Sequence, residues 1–276
     1  MSFKERGEHL HELSQNIGTK LPVTGKWVQH LAETMMLPHV TLQEAMADLD
    51  DVFKAFRVEY IGSDRNAHHR EKCFDELTKL LKEILEKPNK TSKTLDGLLP
   101  AFETANQALE NIAEIYQALV TSAGLSEKQR YYGFCFMYLI FIEGLYDENI
   151  RILYAIKKAI EGNDTDYEKI KEKSLGDFKS DLAPVFFEGY NNHLRNAIAH
   201  ARFSFNDKAE KMTFKDRKNK TQVEFSETLT IQEFVLNYYG KVDNVCRLCY
   251  QYMLLLGVLD LVRSPQPFGK ITFERE

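Results

Sequence analysis

Apolar residues recur at three- and four-residue intervals along most of the chain, the spacing of helices that bury one face. The rhythm predicts helices over about 3–16, 26–37, 41–61, 66–87, 95–123, 127–162, 182–202 and 230–262. Two breaks are well marked. Pro88-Asn89-Lys90-Thr91-Ser92 interrupts one helix before the next, and Ser122-Ala123-Gly124-Leu125-Ser126 reads as a helix end followed by a new N-cap. Glu161-Gly162-Asn163-Asp164 closes the long aromatic-rich helix.

One stretch departs from this rhythm. Phe203-Ser204-Phe205, Lys211-Met212-Thr213-Phe214-Lys215 and Thr221-Gln222-Val223-Glu224-Phe225 alternate with period two, separated by Asn206-Asp207 and by the basic run Asp216 to Lys220. A short β-hairpin or meander at about 203–226 is therefore expected between two helices. The fold class is all-α, a helical bundle carrying this small insertion. The break near residue 124 divides the chain into an N-terminal helical region, 1–124, suited to regulation or partner binding, and a helical domain, 125–276.

Composition narrows the picture without changing it. With 43% hydrophobic and 28% charged residues, the chain can build its core without disulfides or metals. Four cysteines, at 73, 135, 246 and 249, are too few and too irregular for a secreted disulfide framework. The N-terminus shows no apolar signal core, and the apolar stretch Tyr131 to Ile142 falls short of the roughly 18 residues that a membrane span needs. A cytoplasmic protein without membrane partners is expected. A net charge of −5 argues against a general nucleic-acid coat but leaves room for a local basic site.

Such a site lies at 190–203, Tyr-Asn-Asn-His-Leu-Arg-Asn-Ala-Ile-Ala-His-Ala-Arg-Phe. On a helical wheel Leu194, Ala197, Ile198 and Ala201 form an apolar stripe facing the core. Asn192, Arg195, Asn196, Ala199 and His200 occupy the opposite arc, with Arg195 and His200 about 140° apart on its flanks and small Ala199 between them. Histidine can take and give a proton near neutral pH, and arginine presents a permanently charged fork to a phosphate and its transition state. Asn196 can orient the histidine or donate a further hydrogen bond. No acidic metal cage accompanies these residues and no cofactor motif is found, so the implied chemistry is metal-independent attack of an RNA 2′-OH on its own phosphate.

The string Arg195-Asn196-x-x-x-His200 resembles the R-x4–6-H motif of the HEPN superfamily, which includes RNA-cleaving toxins, anticodon nucleases and CRISPR-associated ribonucleases. The resemblance implies a HEPN-like bundle, Arg195, Asn196 and His200 as catalytic residues, and a homodimer in which two motifs meet in one composite site. It implies an endoribonuclease, a hydrolase of the toxin–antitoxin or antiviral-defence kind, with an antitoxin or regulatory protein as a further partner. The match covers about fifteen residues. The place two residues beyond the histidine, a tyrosine in some members, is Arg202 here, so modification there is not implied. Arg6 to His11 also satisfies the spacing but lacks the following asparagine and the apolar stripe. The alternative is a non-catalytic HEPN-like module binding RNA, a nucleotide or a protein; a third reading is a purely structural helical protein.

Residues 193–220 carry eight basic and three acidic side chains, a local +5, with Phe203, Phe205 and Phe214 interleaved. Asn192, Arg202, Lys215, Arg217, Lys218 and Lys220 are the expected RNA contacts through phosphate pairing and stacking, and lysines guarding a strand edge are the plainer explanation. Glu143 interrupts an apolar helix face and is a candidate partner for Arg195, or an acid turned to water. Cys246-x-x-Cys249 reads as core packing, and His68-His69-x-x-x-Cys73 lacks a third metal ligand.

Overall fold

The computed structural model describes Arg57, Ile61, residues 65–86, scattered positions between 98 and 121, and residues 121–163, 166–217 and 223–263. The chain divides into two compact units, Arg57–Tyr252 and a second formed by Met1–Phe56 with Met253–Glu276. Only Met253–Arg263 of the second is described, as the end of a helix, so the helices expected at 3–16, 26–37 and most of 41–61 lie outside the described residues. The division expected near 124 falls inside the first unit.

The first unit is mostly helical with one small sheet. Helix α1 spans Ala67–Glu86, and every described residue between 98 and 121 is helical. Helix α2, Glu127–Ile140, starts at Ser126, whose hydroxyl accepts from the Gln129 amide while the Gln129 side chain accepts from the Ser126 amide. It runs through a π-helical segment, Phe141–Tyr146, into α3, Asp147–Ile160. The expected long helix at 127–162 is thus continuous but widened in its middle. Gly162, at φ 86°, ends it in the left-handed region that favours glycine.

The single helix expected over 182–202 is not there. Short helix α4, Tyr167–Lys171, is followed by 3-10 turns at Leu175–Phe178 and Pro184–Phe187, and helix α5 covers only Asn192–Ala199. Leu182, Val185 and Phe186 supplied the helical spacing, yet Leu182 is buried from a bend and Val185 and Phe186 from the 3-10 turn that Pro184 opens. Gly189 separates that turn from α5. A Cβ there would lie 2.8 Å from the Tyr238 carbonyl oxygen and from the Val242 nitrogen, so the chain passes against another helix where only glycine fits.

After α5 come β1 (Phe203–Asn206), β2 (Lys211–Arg217) and β3 (Val223–Thr230), an antiparallel meander in the order β1-β2-β3. The expected strands are present, with β3 running on to Thr230, while Thr221 and Gln222 of the third lie outside the described residues. Met212, Phe214 and Asp216 of β2 point inward, while Lys211, Lys215 and Arg217 point to solvent. Thr230 then caps α6, Ile231–Phe234, which passes through a second π segment, Val235–Tyr239, into α7, Gly240–Arg263.

Aromatic rings join helices to sheet. Tyr131 packs edge-on against Phe214 and Phe205, Phe214 stacks on Phe234, and Tyr131 donates to the Leu229 carbonyl at 3.0 Å. Cys246 and Cys249 are buried in this core, and burial pushes both thiols well up, so they pack as expected. His69 is also buried, 3.1 Å from the Val185 carbonyl and 3.4 Å from Asn244, while His68 faces Glu71 at the surface. Among the described residues no three His, Cys, Asp or Glu side chains gather as a metal site.

Candidate functional site

Helix α5 is placed by its first residue and by its apolar side. The Asn191 side chain accepts from the amides of His193 and Leu194 at 3.0 and 3.1 Å, satisfying two helix-start donors. The Tyr138 hydroxyl fixes the approach, donating to the Gly189 carbonyl at 2.9 Å and accepting from the Asn191 amide at 3.2 Å. Leu194, Ala197 and Ile198 are fully buried, as the stripe predicted. Ala201 is not: the helix has already ended, and Ala201 lies exposed at φ 51°. Its amide bonds to Ile198 at 3.0 Å and that of Arg202 to Ala197 at 2.7 Å, which closes the helix with a left-handed residue.

Arg195 is held from two sides. Its Nε donates to Glu143 on the π segment, and its Nη1 donates to Asn196 Oδ1 at 2.9 Å. Glu143 is therefore both things at once, exposed to water and paired with Arg195. Its hydrogen bond pushes the guanidinium further up from its ordinary value, with burial opposing, so Arg195 is a fixed positive charge. A π segment shifts the helical register, and here it brings Glu143 to α5 while Tyr146, three residues on, stays buried and stacks on Tyr190 at 5.9 Å. The neighbouring acids are also used: Asp147 accepts from Arg151 at 2.9 Å, and Glu148 accepts from Tyr167 at 2.8 Å.

The side-chain amide of Asn196 turns the other way, donating to Asp216 on β2 at 3.3 Å. Asp216 is 5% exposed and serves four groups. Oδ2 also faces His193 Nδ1 at 3.0 Å, while Oδ1 accepts from Arg202 at 3.4 Å and from the Arg217 backbone amide at 2.8 Å. Burial pushes the Asp216 carboxyl up, but the hydrogen bonds from His193, Arg217 and Asn196, with the His193 charge, outweigh it and hold the group below the usual carboxylate range. The His193 ring also stacks on Phe225 of β3, centroids 5.4 Å apart and nearly parallel.

Arg195 and Asn196 are thus brought together, with Glu143 and Asp216 at either end of one hydrogen-bonded row. His200 stands apart from it. It is the C-cap of α5, exposed, and makes no side-chain hydrogen bond or ion pair among the described residues. Asn196 therefore orients Arg195 and not His200. Ala199 beside it is exposed, leaving an open surface between the two motif residues.

The other expected contacts scatter. The Tyr190 hydroxyl donates to Asn192 at 3.3 Å, on the rim of the same helix. Arg202 is drawn inward to Asp216, whereas Lys215 and Arg217 project from the solvent face of β2. Lys218 and Lys220 lie outside the described residues. Sequence reasoning missed Asp216 and His193. The signal for Asp216 was present, since Met212-x-Phe214-x-Asp216 continues the inward alternation of β2.

No family model, curated protein sequence or solved structure matches the chain.

Proposed function

We propose that the protein is a metal-independent endoribonuclease of the HEPN kind, acting on RNA through Arg195 and His200. The observation that carries the reading is the contrast between the two: Arg195 is locked by Glu143 and Asn196, while His200, at the end of the same helix, is exposed and unengaged among the described residues. A fixed cation and an exposed imidazole on one helix are groups that phosphodiester cleavage uses.

In the step proposed, His200 takes the proton of an RNA 2′-OH and the 2′ oxygen bonds to the adjacent phosphorus. Arg195 holds the charge that builds on the non-bridging oxygens. The bond from phosphorus to the 5′ oxygen breaks, its electron pair stays on that oxygen, and a proton from an acid completes the 5′-OH. The products end in a 2′,3′-cyclic phosphate and a 5′-OH. Two copies meeting across the open Ala199 surface would bring two motifs into one cleft. The chain would serve as a toxin or defence effector held in check by a regulatory protein. Lys215 and Arg217 on the outer face of β2, continued by Lys218 and Lys220 in sequence, supply phosphate contacts for the RNA.

One observation favours a second reading, a module that binds RNA without cleaving it. Glu143 occupies Arg195 Nε, so its negative charge stands at the guanidinium and opposes an incoming phosphate. Glu143→Gln separates the two readings: it raises RNA affinity in both, and raises cleavage only in the first. The first is tested with an RNA carrying a single 2′-deoxy substitution at a mapped cleavage position. Loss of cleavage at that position alone, with cyclic phosphate ends elsewhere, is the expected result. Cleavage that continues at the deoxy position rules out 2′-OH attack.

A further inference from the structure

The geometry points to His193, paired with the buried carboxylate of Asp216, as a second proton-transfer residue of this site, the acid that protonates the departing 5′ oxygen of RNA. The inference rests on the proposed ribonuclease reading and supplies the group which that chemistry leaves unassigned.

Three features of His193 set it apart from a packed core histidine. First, its Nδ1 lies 3.0 Å from Asp216 Oδ2. An ionised carboxylate only accepts, so Nδ1 carries the hydrogen, and it does so in both protonation states of the ring. Only Nε2 then exchanges its proton. Second, the side chain is 41% exposed although its partner is 7% exposed, so the ring is anchored at its inner nitrogen and open to solvent. Third, Phe225 stacks against the ring at 5.4 Å and 13°, which fixes its plane. A histidine whose one nitrogen is tied to a buried carboxylate, whose plane is fixed and whose ring is open is built to move a proton.

Its place on α5 fits the same reaction. His193 and His200 are seven residues apart, which on an α-helix brings them within about 20° of one another and about 10 Å apart along the axis. Asn196, between them on that face, bonds to the same Asp216 and orients Arg195. One carboxylate thereby sets both the imidazole and, through Asn196, the arginine. Among the described residues, the charged groups joined to the ring are Asp216 itself and, through it, Arg202, 3.4 Å from the other carboxylate oxygen. In the step, the His193 imidazolium gives its Nε2 proton to the 5′ oxygen as the P–O bond breaks, keeps its Nδ1 hydrogen on Asp216, and regains a proton from solvent.

The test uses two RNAs, each with one cleavable ribonucleotide, differing only in whether the leaving 5′ atom is oxygen or sulfur. A sulfur leaving group departs without being protonated, so it relieves the need for an acid. His193→Asn keeps an N–H for Asp216 while removing Nε2, and His193→Ala with a melting curve guards against misfolding. The expected result is a loss of about a hundredfold by His193→Asn on the oxygen RNA, with cleavage of the sulfur RNA near the parent rate. His200→Ala is expected to lose both. Equal losses on the two RNAs, or none on either, overturn the acid role while the parent's cleavage keeps the ribonuclease reading. If the folded parent cleaves neither RNA, the ribonuclease reading itself fails and the acid role falls with it.

Discussion

Asn196 and Asp216 lie 20 positions apart in sequence and are joined at 3.3 Å, and through this bond the β-meander reaches the motif helix. Because the other end of Asn196 takes Arg195 at 2.9 Å, the sheet positions the arginine without touching it. Removing the carboxylate strands His193, Asn196 and the Arg217 amide together. Asp216→Ala is expected to cost about 2–3 kcal/mol in denaturant unfolding, whereas Lys215→Ala, on the outer face of the same strand, should cost less than about 0.5 kcal/mol. Equal effects of the two would show that the buried cluster does not stabilise the fold.

The acid limb of stability follows from the same carboxyl. Its folded value is depressed, so its contribution is complete above the unfolded aspartate value, about 3.9, and is lost as pH falls through the folded value. Melting temperature should therefore drop below about pH 4 in the parent, and less steeply in Asp216→Asn, which has no carboxyl to protonate. An unchanged slope in the variant would contradict the assignment.

Much of this arrangement was legible in the sequence. The apolar stripe Leu194, Ala197 and Ile198, the three strands and the Ser122–Ser126 break follow from periodicity and capping, and the Glu143–Arg195 pairing was one of two readings that the sequence left open. The length of α5 was not. Leu182, Val185 and Phe186 keep helical spacing in a bend and a 3-10 turn, and Gly189, which ends that stretch, passes against Tyr238 and Val242, residues some 50 positions away. The left-handed Ala201 likewise answers to the turn into β1 and not to the wheel. Asp216 was grouped with the basic run that follows it, although strand alternation places it inside. The π segments are invisible to a 3.6-residue period, yet one of them delivers Glu143 to the site.

The open surface at Ala199 bears on assembly. A two-fold dimer with the motifs near its axis brings identical patches together, so Ala199→Trp is expected to weaken it. Sedimentation across a concentration series reads this directly. A parent that stays monomeric at all concentrations, or a dimer whose affinity the tryptophan leaves untouched, rules out close approach there.

Salt dependence separates phosphate contacts from the catalytic pair. Reversing Arg217, Lys218 and Lys220 to glutamate should weaken RNA binding most at low salt, where screening is least, and flatten the dependence of affinity on salt. Arg195→Ala should lose cleavage together with part of the affinity. Affinity that does not respond to salt in the parent would remove the meander from the RNA contact.

We propose that His200, exposed at the end of α5 and unengaged among the described residues, performs the chemistry. Labelled RNA incubated in EDTA with the parent and with His200→Ala tests it most directly, with melting temperature and RNA affinity measured alongside. Cleavage by the parent in chelator is expected, with none of an all-DNA strand and no product from His200→Ala at unchanged fold and nearly unchanged affinity. Cleavage by His200→Ala at the parent rate, or parent activity that EDTA abolishes and Mg²⁺ restores, would contradict it.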